Sequence, residues 1–137
     1  TMTDALHPAV AANMKSIELA MTKDRAGWLD LYADDAILQD PVGKSPFDPT
    51  GNGHIGKEAI GQFYDMVIGQ SNLKMTVQKR ITSGDRAVAV FQTADNELNG
   101  MKFQVEMIAI YEVNDAGKIQ RMSAYWSWDD MQKQLGM

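Results

Sequence analysis

Residues 101–113 alternate apolar and polar side chains along their whole length, and this pattern constrains the fold more than any other in the chain. A period of two predicts a strand with one face in a core and the other mostly in water. Shorter alternations predict strands at residues 75–81, 87–97 and 119–128, and Asn99-Gly100 predicts a tight hairpin before the longest strand. The second half of the chain is therefore predicted to form consecutive antiparallel strands.

The first half of the chain carries a different period. Apolar residues recur there at spacings of three and four, which predicts helices at residues 8–23, 25–32 and 57–68. A short strand at residues 36–40 lies between the second and third helices, and a loop rich in proline and glycine follows at residues 42–56. Because the helices precede the main strands, we expect an α+β fold with helices packed on one face of the sheet.

Composition excludes several classes of protein. We expect a single domain over residues 1–137, with Thr1, which precedes Met2, as a remnant of cloning. The net charge of −5 argues against a nucleic-acid partner and against an anionic membrane, and no apolar run approaches the ~20 residues of a membrane span. Cysteine is absent, which excludes disulfides and thiol chemistry and leaves the cytoplasm as the default location.

Asp40 ends the short strand on the same face as Ala36 and Leu38, and a proline follows it. A carboxylate in this position is either a turn residue in solvent or a group held in a dry pocket, and the local pattern leaves both readings open. Asp34, Asp35 and Asp40 lack a nearby set of His or Cys residues, so we expect no metal site. There is no glycine-rich phosphate loop, and we expect no cofactor.

Two isoleucines interrupt the polar, even-numbered face of the longest predicted strand. Ile108 and Ile110 are neighbours on that face, which indicates a covered patch. We interpret this patch as the interface of a homodimer on the outer face of the sheet. The alternative is that two apolar side chains are tolerated in solvent.

Several local motifs, together with the order of the elements, resemble a known family. They are Tyr-Ala-Asp-Asp-Ala at residues 32–36 followed by Asp40-Pro41, then Gly-Lys-Glu-Ala-Ile at residues 56–60 with Phe63-Tyr64, and a final strand ending Ala124-Tyr125-Trp126. Over residues 9–129 the chain resembles bacterial steroid delta-isomerases (ketosteroid isomerases) of the SnoaL-like, nuclear transport factor 2-like superfamily. The resemblance implies a cone-shaped fold, in which three N-terminal helices pack on a curved, mostly antiparallel sheet and enclose a cavity.

The resemblance also implies a reaction. In that family an aspartate takes a proton alpha to a ketone and returns it elsewhere, which shifts a carbon–carbon double bond, while a Tyr and a protonated Asp hold the enolate oxygen. The base matches Asp40. The two oxyanion donors do not match, because their positions hold Ser16 and Ala109 in this chain.

Three tyrosines are candidates for the missing donors, because a phenol with a pKa near 10 can donate to an enolate oxygen. The resemblance implies that Tyr64 lies beside Ser16, and Tyr32 and Tyr111 are the alternatives; each ring is otherwise a core side chain with a hydrogen-bonded tip. The predicted catalytic residues are therefore Asp40 and Tyr64. The predicted pocket residues are Ser16, Ala20, Tyr32, Val42, Met107, Ala109, Tyr111 and Trp126.

The expected partner is a small hydrophobic ligand, such as a steroid or a polyketide, and the expected activity is that of an isomerase. Two alternatives stay open, since the superfamily's fold hosts many functions. One is a cyclase or an epoxide-hydrolase-type enzyme in which Asp40 activates water. The other is a binder that keeps the shape without turnover, and the loop at residues 44–54 carries no assigned role.

Overall fold

The computed structural model describes residues 6–98 and 100–137. Thr1 and Asn99, on which two of the predictions fall, lie outside the described residues. The helices are α1 (Pro8–Met21), α2 (Arg25–Asp30), α3 (Gly56–Phe63), which continues as a π-helical turn (Tyr64–Ile68), and α4 (Trp128–Gln134). The strands are β1 (Tyr32–Gln39), β2 (His54–Ile55), β3 (Lys74–Ser83), β4 (Ala87–Leu98), β5 (Met101–Val113) and β6 (Ile119–Tyr125).

The strands form one curved sheet in the order β2-β1-β6-β5-β4-β3. β1 runs parallel to β6, and the other neighbouring pairs are antiparallel. The first three helices and the sheet share one cluster of buried apolar side chains, so the main core lies between them. The predicted α+β cone, with three N-terminal helices on a mostly antiparallel sheet, is confirmed. No helix in the described ranges is long and apolar enough to cross a membrane.

The long alternation corresponds to β5, which has the predicted bounds. Its buried side chains are all odd-numbered, and the even-numbered side chains point to the other face of the sheet. The buried side chains of β5 are Val105, Ala109, Tyr111 and Val113. β5 pairs with β4 from Leu98–Met101 to Ala87–Glu112 and with β6 on its other side.

The segment around β1 differs from its prediction. α2 ends at Asp30, and the strand begins at Tyr32 rather than at residue 36. The reason is tertiary pairing, because Tyr32 aligns with Ile119 of β6 and the Ile119 N–H donates to the Leu31 carbonyl at 2.8 Å. Local periodicity predicted that the helix continues to residue 32. Pairing with the parallel strand β6 instead places Tyr32 in a strand.

The C-terminal end also differs from its prediction. β6 ends at Tyr125, and α4 begins at Trp128, where the sequence pattern predicted strand. Ser127 caps the helix by accepting a hydrogen bond from the Asp130 N–H at 3.1 Å. A serine followed by an acidic residue at the third position is a signal for the start of a helix. The prediction followed the alternation of the tryptophans instead of this signal. α4 places Met131 in a second, smaller apolar cluster against β4 and β5.

Candidate active site

A cavity of about 260 Å3 lies between the helices and the inner face of the sheet. This is just below the lower end, roughly 300 Å3, of the usual range for small-molecule sites, and the wall is mostly apolar as such sites are. The predicted site residues that line it are Ser16, Ala20, Tyr32, Asp40, Met107, Ala109, Tyr111 and Trp126. Residues from α1, β1, β5 and the segment after β6 are therefore brought together around one space.

Two predicted site residues do not line the cavity. Tyr64 is buried at the start of the π-helical turn, and its ring packs against Trp28 at a centroid distance of 5.4 Å. Trp28 lines the cavity, so Tyr64 supports the wall without reaching the space. Val42 is half-buried beyond the end of β1, where its N–H donates to the Ala124 carbonyl at 2.8 Å. Neither side chain therefore lines the cavity, and the catalytic role of Tyr64 stays a prediction.

Asp40 stands where β1 ends, and its carboxyl lies in the cavity wall. Burial among apolar groups raises the pKa of this carboxyl from 3.8 to about 6, because the charged form is poorly solvated there. A hydrogen bond from the indole of Trp126 opposes the rise, since it favours the charged form: Nε1–H donates to Oδ1 at 2.6 Å. A carboxyl with a pKa near 6 can both accept and return a proton near neutral pH.

Two phenols accompany Asp40 in the cavity. Burial raises the pKa of Tyr32 well above its ordinary value, and charge on Tyr111 and Asp40 raises it further. Burial raises the pKa of Tyr111 as well, while contacts with Ser16 and Asn13 oppose that rise. Both rings therefore keep their protons at neutral pH and serve as hydrogen-bond donors.

The Tyr32 hydroxyl is one of the buried polar groups that have no hydrogen-bond partner among the described residues. The oxygen is buried, and no hydrogen bond reaches it from any residue that the structure describes. The ring is held firmly, because it lies 4.9 Å from the Trp28 ring and the residue is 1% exposed. Native proteins pair nearly all buried polar atoms, so an orphaned hydroxyl in a cavity wall indicates a place for a ligand atom.

Among the lining residues that were not predicted are Phe47, Gln92 and Trp128. Phe47 comes from the loop at residues 44–54 and meets Trp128, the first residue of α4, edge to face at 5.2 Å. Gln92 lies on the inner face of β4. The sequence contains a signal for Gln92, because this polar residue interrupts the apolar alternation of β4. Phe47 and Trp128 meet only through the tertiary fold, and no local pattern pairs them.

Within residues 6–98 and 100–137, no group of three or more His, Asp or Glu side chains is close enough to hold a metal ion. The described polar side chains that line the cavity are two carboxyls, two phenols, two hydroxyls and three amides: Asp40, Glu97, Tyr32, Tyr111, Ser16, Ser71, Gln70, Gln92 and Asn96. They can transfer a proton and hold an oxygen of a ligand, which is the chemistry of a general base with hydrogen-bond donors.

A helix-covered cone whose cavity holds a carboxyl with a raised pKa is typical of one class of protein, and comparison with known sequences identifies that class. The model of the SnoaL-like domain matches residues 15–122, so the chain belongs to the SnoaL-like domain family. The steroid delta-isomerase of Nocardioides simplex is 31% identical over 101 residues, which are 74% of this chain and 75% of that protein.

Solved structures agree with this assignment. RV0760c from Mycobacterium tuberculosis is 36% identical with a TM-score of 0.89, over 93% of this chain and 96% of that one. It has also been solved in complex with estradiol-17beta-hemisuccinate. The delta 5-3-ketosteroid isomerase of Mycobacterium sp. is 35% identical with a TM-score of 0.85, over 90% of this chain and 96% of that one. These relatives support the prediction of an isomerase. Structures under 20% identical, among them an epoxide hydrolase, share the fold alone.

Proposed function

We propose that the protein is a steroid delta-isomerase-like enzyme in which Asp40 is the general base. The ligand is a flat hydrophobic ketone, held mostly by burial of its apolar surface. The Asp40 carboxylate takes a proton from the carbon alpha to the ketone, and the electrons move onto the ketone oxygen to form a dienolate. The protonated carboxyl then returns the proton at the far end of the conjugated system, so the double bond moves and the atoms balance.

The observation that carries this proposal is the setting of the Asp40 carboxyl. It lies in an apolar cavity with a pKa near 6, and its one side-chain hydrogen bond among the described residues engages Oδ1. Oδ2 is left to act on a substrate. A base with this pKa is mostly charged at neutral pH, and its conjugate acid is strong enough to give the proton back.

The dienolate oxygen needs hydrogen-bond donors, because the negative charge that develops there is otherwise unsolvated in an apolar site. We assign the donor role to the Tyr32 hydroxyl, which is buried, protonated and without a partner in the cavity. Tyr111 and Ser16 stand beside it and are the second candidates. Ala109, fully buried on β5, replaces one of the family's donors with a methyl group and leaves more apolar space.

The test of this proposal is isomerisation of a 5-ene-3-ketosteroid, followed by the ultraviolet absorbance of the conjugated product. Wild-type protein should turn the steroid over, and Asp40→Asn should lower the rate by several orders of magnitude with little change in steroid affinity. Asp35→Asn is the matched control, since Asp35 is an exposed carboxyl on the same strand, and it should keep the wild-type rate. Equal rates for wild type and Asp40→Asn would refute the role of Asp40.

A carrier without turnover is the second candidate, and the loss of both family donors favours it. Ser16 and Ala109 occupy those positions, and removing one oxyanion donor costs about 10²–10³ in rate in a well-studied hydrolase. Saturable steroid binding without turnover by wild type and Asp40→Asn alike would establish the carrier. Hydrolysis of an epoxide or cyclisation of a polyketide, abolished by Asp40→Asn, would establish instead an enzyme that uses Asp40 on water or another substrate.

We also propose that two copies of the chain pair through the outer face of the sheet. Phe91, Ile108 and Tyr125 align in one row across β4, β5 and β6, and they are 39%, 37% and 51% exposed. Ile110 lies in the next row, where Ile81 at the far side is also exposed. An exposed apolar face of this kind can pair with the same face of a second copy about a two-fold axis, which is how most homodimers associate.

A further inference from the structure

The inner face of β4 is apolar except at one position in its buried stretch. Val88, Val90 and Ala94 are buried on that face, and Gln92 stands between them at 4% exposure. The residue lines the cavity. A buried amide on an apolar strand face is unusual, because it gives up hydrogen bonds to water and needs partners in the protein.

The partners of the Gln92 amide are poor. Its Nε2 lies 3.3 Å from the sulfur of Met107, a weak acceptor on the neighbouring strand. Its Oε1 is buried and has no hydrogen-bond partner among the residues that the structure describes. Rotation of the amide would exchange the two groups, so the side chain can accept from a hydroxyl or donate to a carbonyl. The amide therefore has unused hydrogen-bonding capacity in the cavity wall.

Gln92 lies far from the carboxyl of Asp40. The Val42 N–H after Asp40 meets the Ala124 carbonyl of β6, Ala124 pairs with Ala109 of β5, and Ala109 pairs with Val90 of β4. The backbone after Asp40 and the backbone of Val90 are therefore three strand spacings of about 4.8 Å apart, which is about 14 Å. Gln92 lies two residues beyond Val90 along β4. The curvature of the sheet shortens the gap between the side-chain tips. A flat ligand of several fused rings can bridge it.

Between the two ends, the described residues on the sheet side of the cavity wall are apolar. Ala124 and Ala109 are fully buried and small, and Met107 follows them toward Gln92. The sheet side of the cavity is thus polar at the Asp40 end, apolar in the middle and polar again at Gln92, with Asn96 and Glu97 beyond it on β4. A ligand that fits this sequence of surfaces has an oxygen at each end of a rigid hydrophobic body.

We propose that Gln92 is a specificity-determining residue that binds a second oxygen of the ligand, a hydroxyl or keto group at the end remote from the reacting ketone. This inference rests on the proposed function, because it places the reacting ketone at Asp40. It narrows the substrate class from hydrophobic ketones in general to flat ligands that are oxygenated at both ends.

The test compares two steroids that share the ring-A ketone and differ only at the far end, androst-4-ene-3,17-dione and androst-4-en-3-one. Equilibrium binding to the wild-type chain should favour the dione by about tenfold, the effect of one hydrogen bond to a buried amide. In Gln92→Leu this preference should vanish, while the affinity for the mono-ketone stays the same or rises. Gln78→Leu, at an exposed glutamine of β3, is the control and should keep the preference.

The possible results distinguish failure of the role of Gln92 from failure of the proposed function. Equal affinity of the wild-type chain for both steroids would overturn the role of Gln92, and this measurement needs no variant. If the same preparation isomerises the 5-ene-3-ketosteroid through Asp40, the proposed function stands although the inference about Gln92 fails. Failure of both steroids to bind, together with absence of turnover, would overturn the two proposals together. A preference that persists in Gln92→Leu would assign the second oxygen to another residue.

Discussion

The indole of Trp126 donates a hydrogen bond to Oδ1 of Asp40 at 2.6 Å, although the two residues lie 86 positions apart in the chain. Burial of the carboxyl raises its pKa, and this hydrogen bond lowers it, with a balance near 6. The same contact fixes the orientation of the carboxyl at the cavity wall. A strand end and the segment after β6 therefore set the pKa and the orientation of this carboxyl together.

The pH dependence of turnover should reveal the pKa of Asp40. The base must be charged to take a proton, so kcat/KM should fall about tenfold per pH unit below about pH 6 and reach a plateau above it. The measurement is the rate of steroid isomerisation between pH 4.5 and 8.5. A flat profile across pH 6 would contradict the assignment of Asp40 as the base that limits the rate.

Replacing the indole should move that profile. Trp126→Phe removes the N–H that favours the charged carboxylate, so the pKa should rise and the falling limb of kcat/KM should move to higher pH. Trp128→Phe is the control, because Trp128 lines the same cavity and the hydrogen bond to Asp40 comes from Trp126. An unchanged profile in Trp126→Phe would show that the hydrogen bond does not tune the base.

Asp40→Asn should raise the free energy of unfolding at neutral pH. The pKa of Asp40 is higher in the folded chain than its ordinary value of 3.8, so the folded state binds the proton more tightly and loses stability as the pH rises from below 4 to above 6. The rise from 3.8 to about 6 corresponds to about 3 kcal/mol. Asparagine is neutral at every pH and avoids this loss.

Urea unfolding at pH 8 and at pH 3.5 checks this expectation. The stability advantage of Asp40→Asn over wild type should be up to about 3 kcal/mol at pH 8 and close to zero at pH 3.5. The exposed Asp35→Asn variant should show no such pH-dependent gain. An advantage that is the same at both pH values would mean that desolvation of the charge is not its cause.

Tyr32→Phe should lower turnover without lowering the stability of the fold. The Tyr32 hydroxyl is buried without a partner, so its removal should leave the ligand-free protein as stable as wild type or more stable, by about 1 kcal/mol. Turnover should fall by about 10²–10³ if the hydroxyl holds the dienolate oxygen. Thermal unfolding and the isomerase assay measure the two effects.

Tyr64→Phe is the matched control for that variant. Tyr64 packs against Trp28 behind the cavity wall and does not line the space, so its hydroxyl should contribute nothing to turnover. A rate lowered as strongly by Tyr64→Phe as by Tyr32→Phe would restore the original sequence-based choice of donor.

Phe91→Lys should dissociate the proposed homodimer. Phe91 stands in the exposed apolar row with Ile108 and Tyr125, and a charge there would be buried without a partner in the interface. Sedimentation equilibrium should show a dimer for wild type and a monomer for the variant. Lys79→Ala, beside Phe91 in the same register, is the control and should stay dimeric. A wild-type monomer at micromolar concentration would refute the interface.

Periodicity alone determined most of the architecture. The alternation at residues 101–113 predicted β5 with its observed bounds, because a strand between two neighbours buries one face along its whole length. The spacing of apolar residues placed α1 and the helix that contains α3 for the same reason. Periodicity gave the wrong secondary structure at residues 32–35, where pairing with β6 makes a strand instead of a helix. It also gave the wrong secondary structure at Trp128, where the Ser127 cap starts a helix instead of continuing the strand.

The strand pattern also drew attention to Asp40, a carboxylate that continues an apolar strand face, although it left a turn residue in solvent and a group in a dry pocket both open. The groups that share a cavity with this carboxyl became visible only in the folded chain. The tertiary structure placed Tyr32 in the wall and Tyr64 behind it, brought Trp126 onto the carboxyl and put the amide of Gln92 at the other end. The physical reason is that local periodicity sets which face of an element is buried, whereas contacts between elements far apart in the chain depend on how a curved sheet and its helices pack.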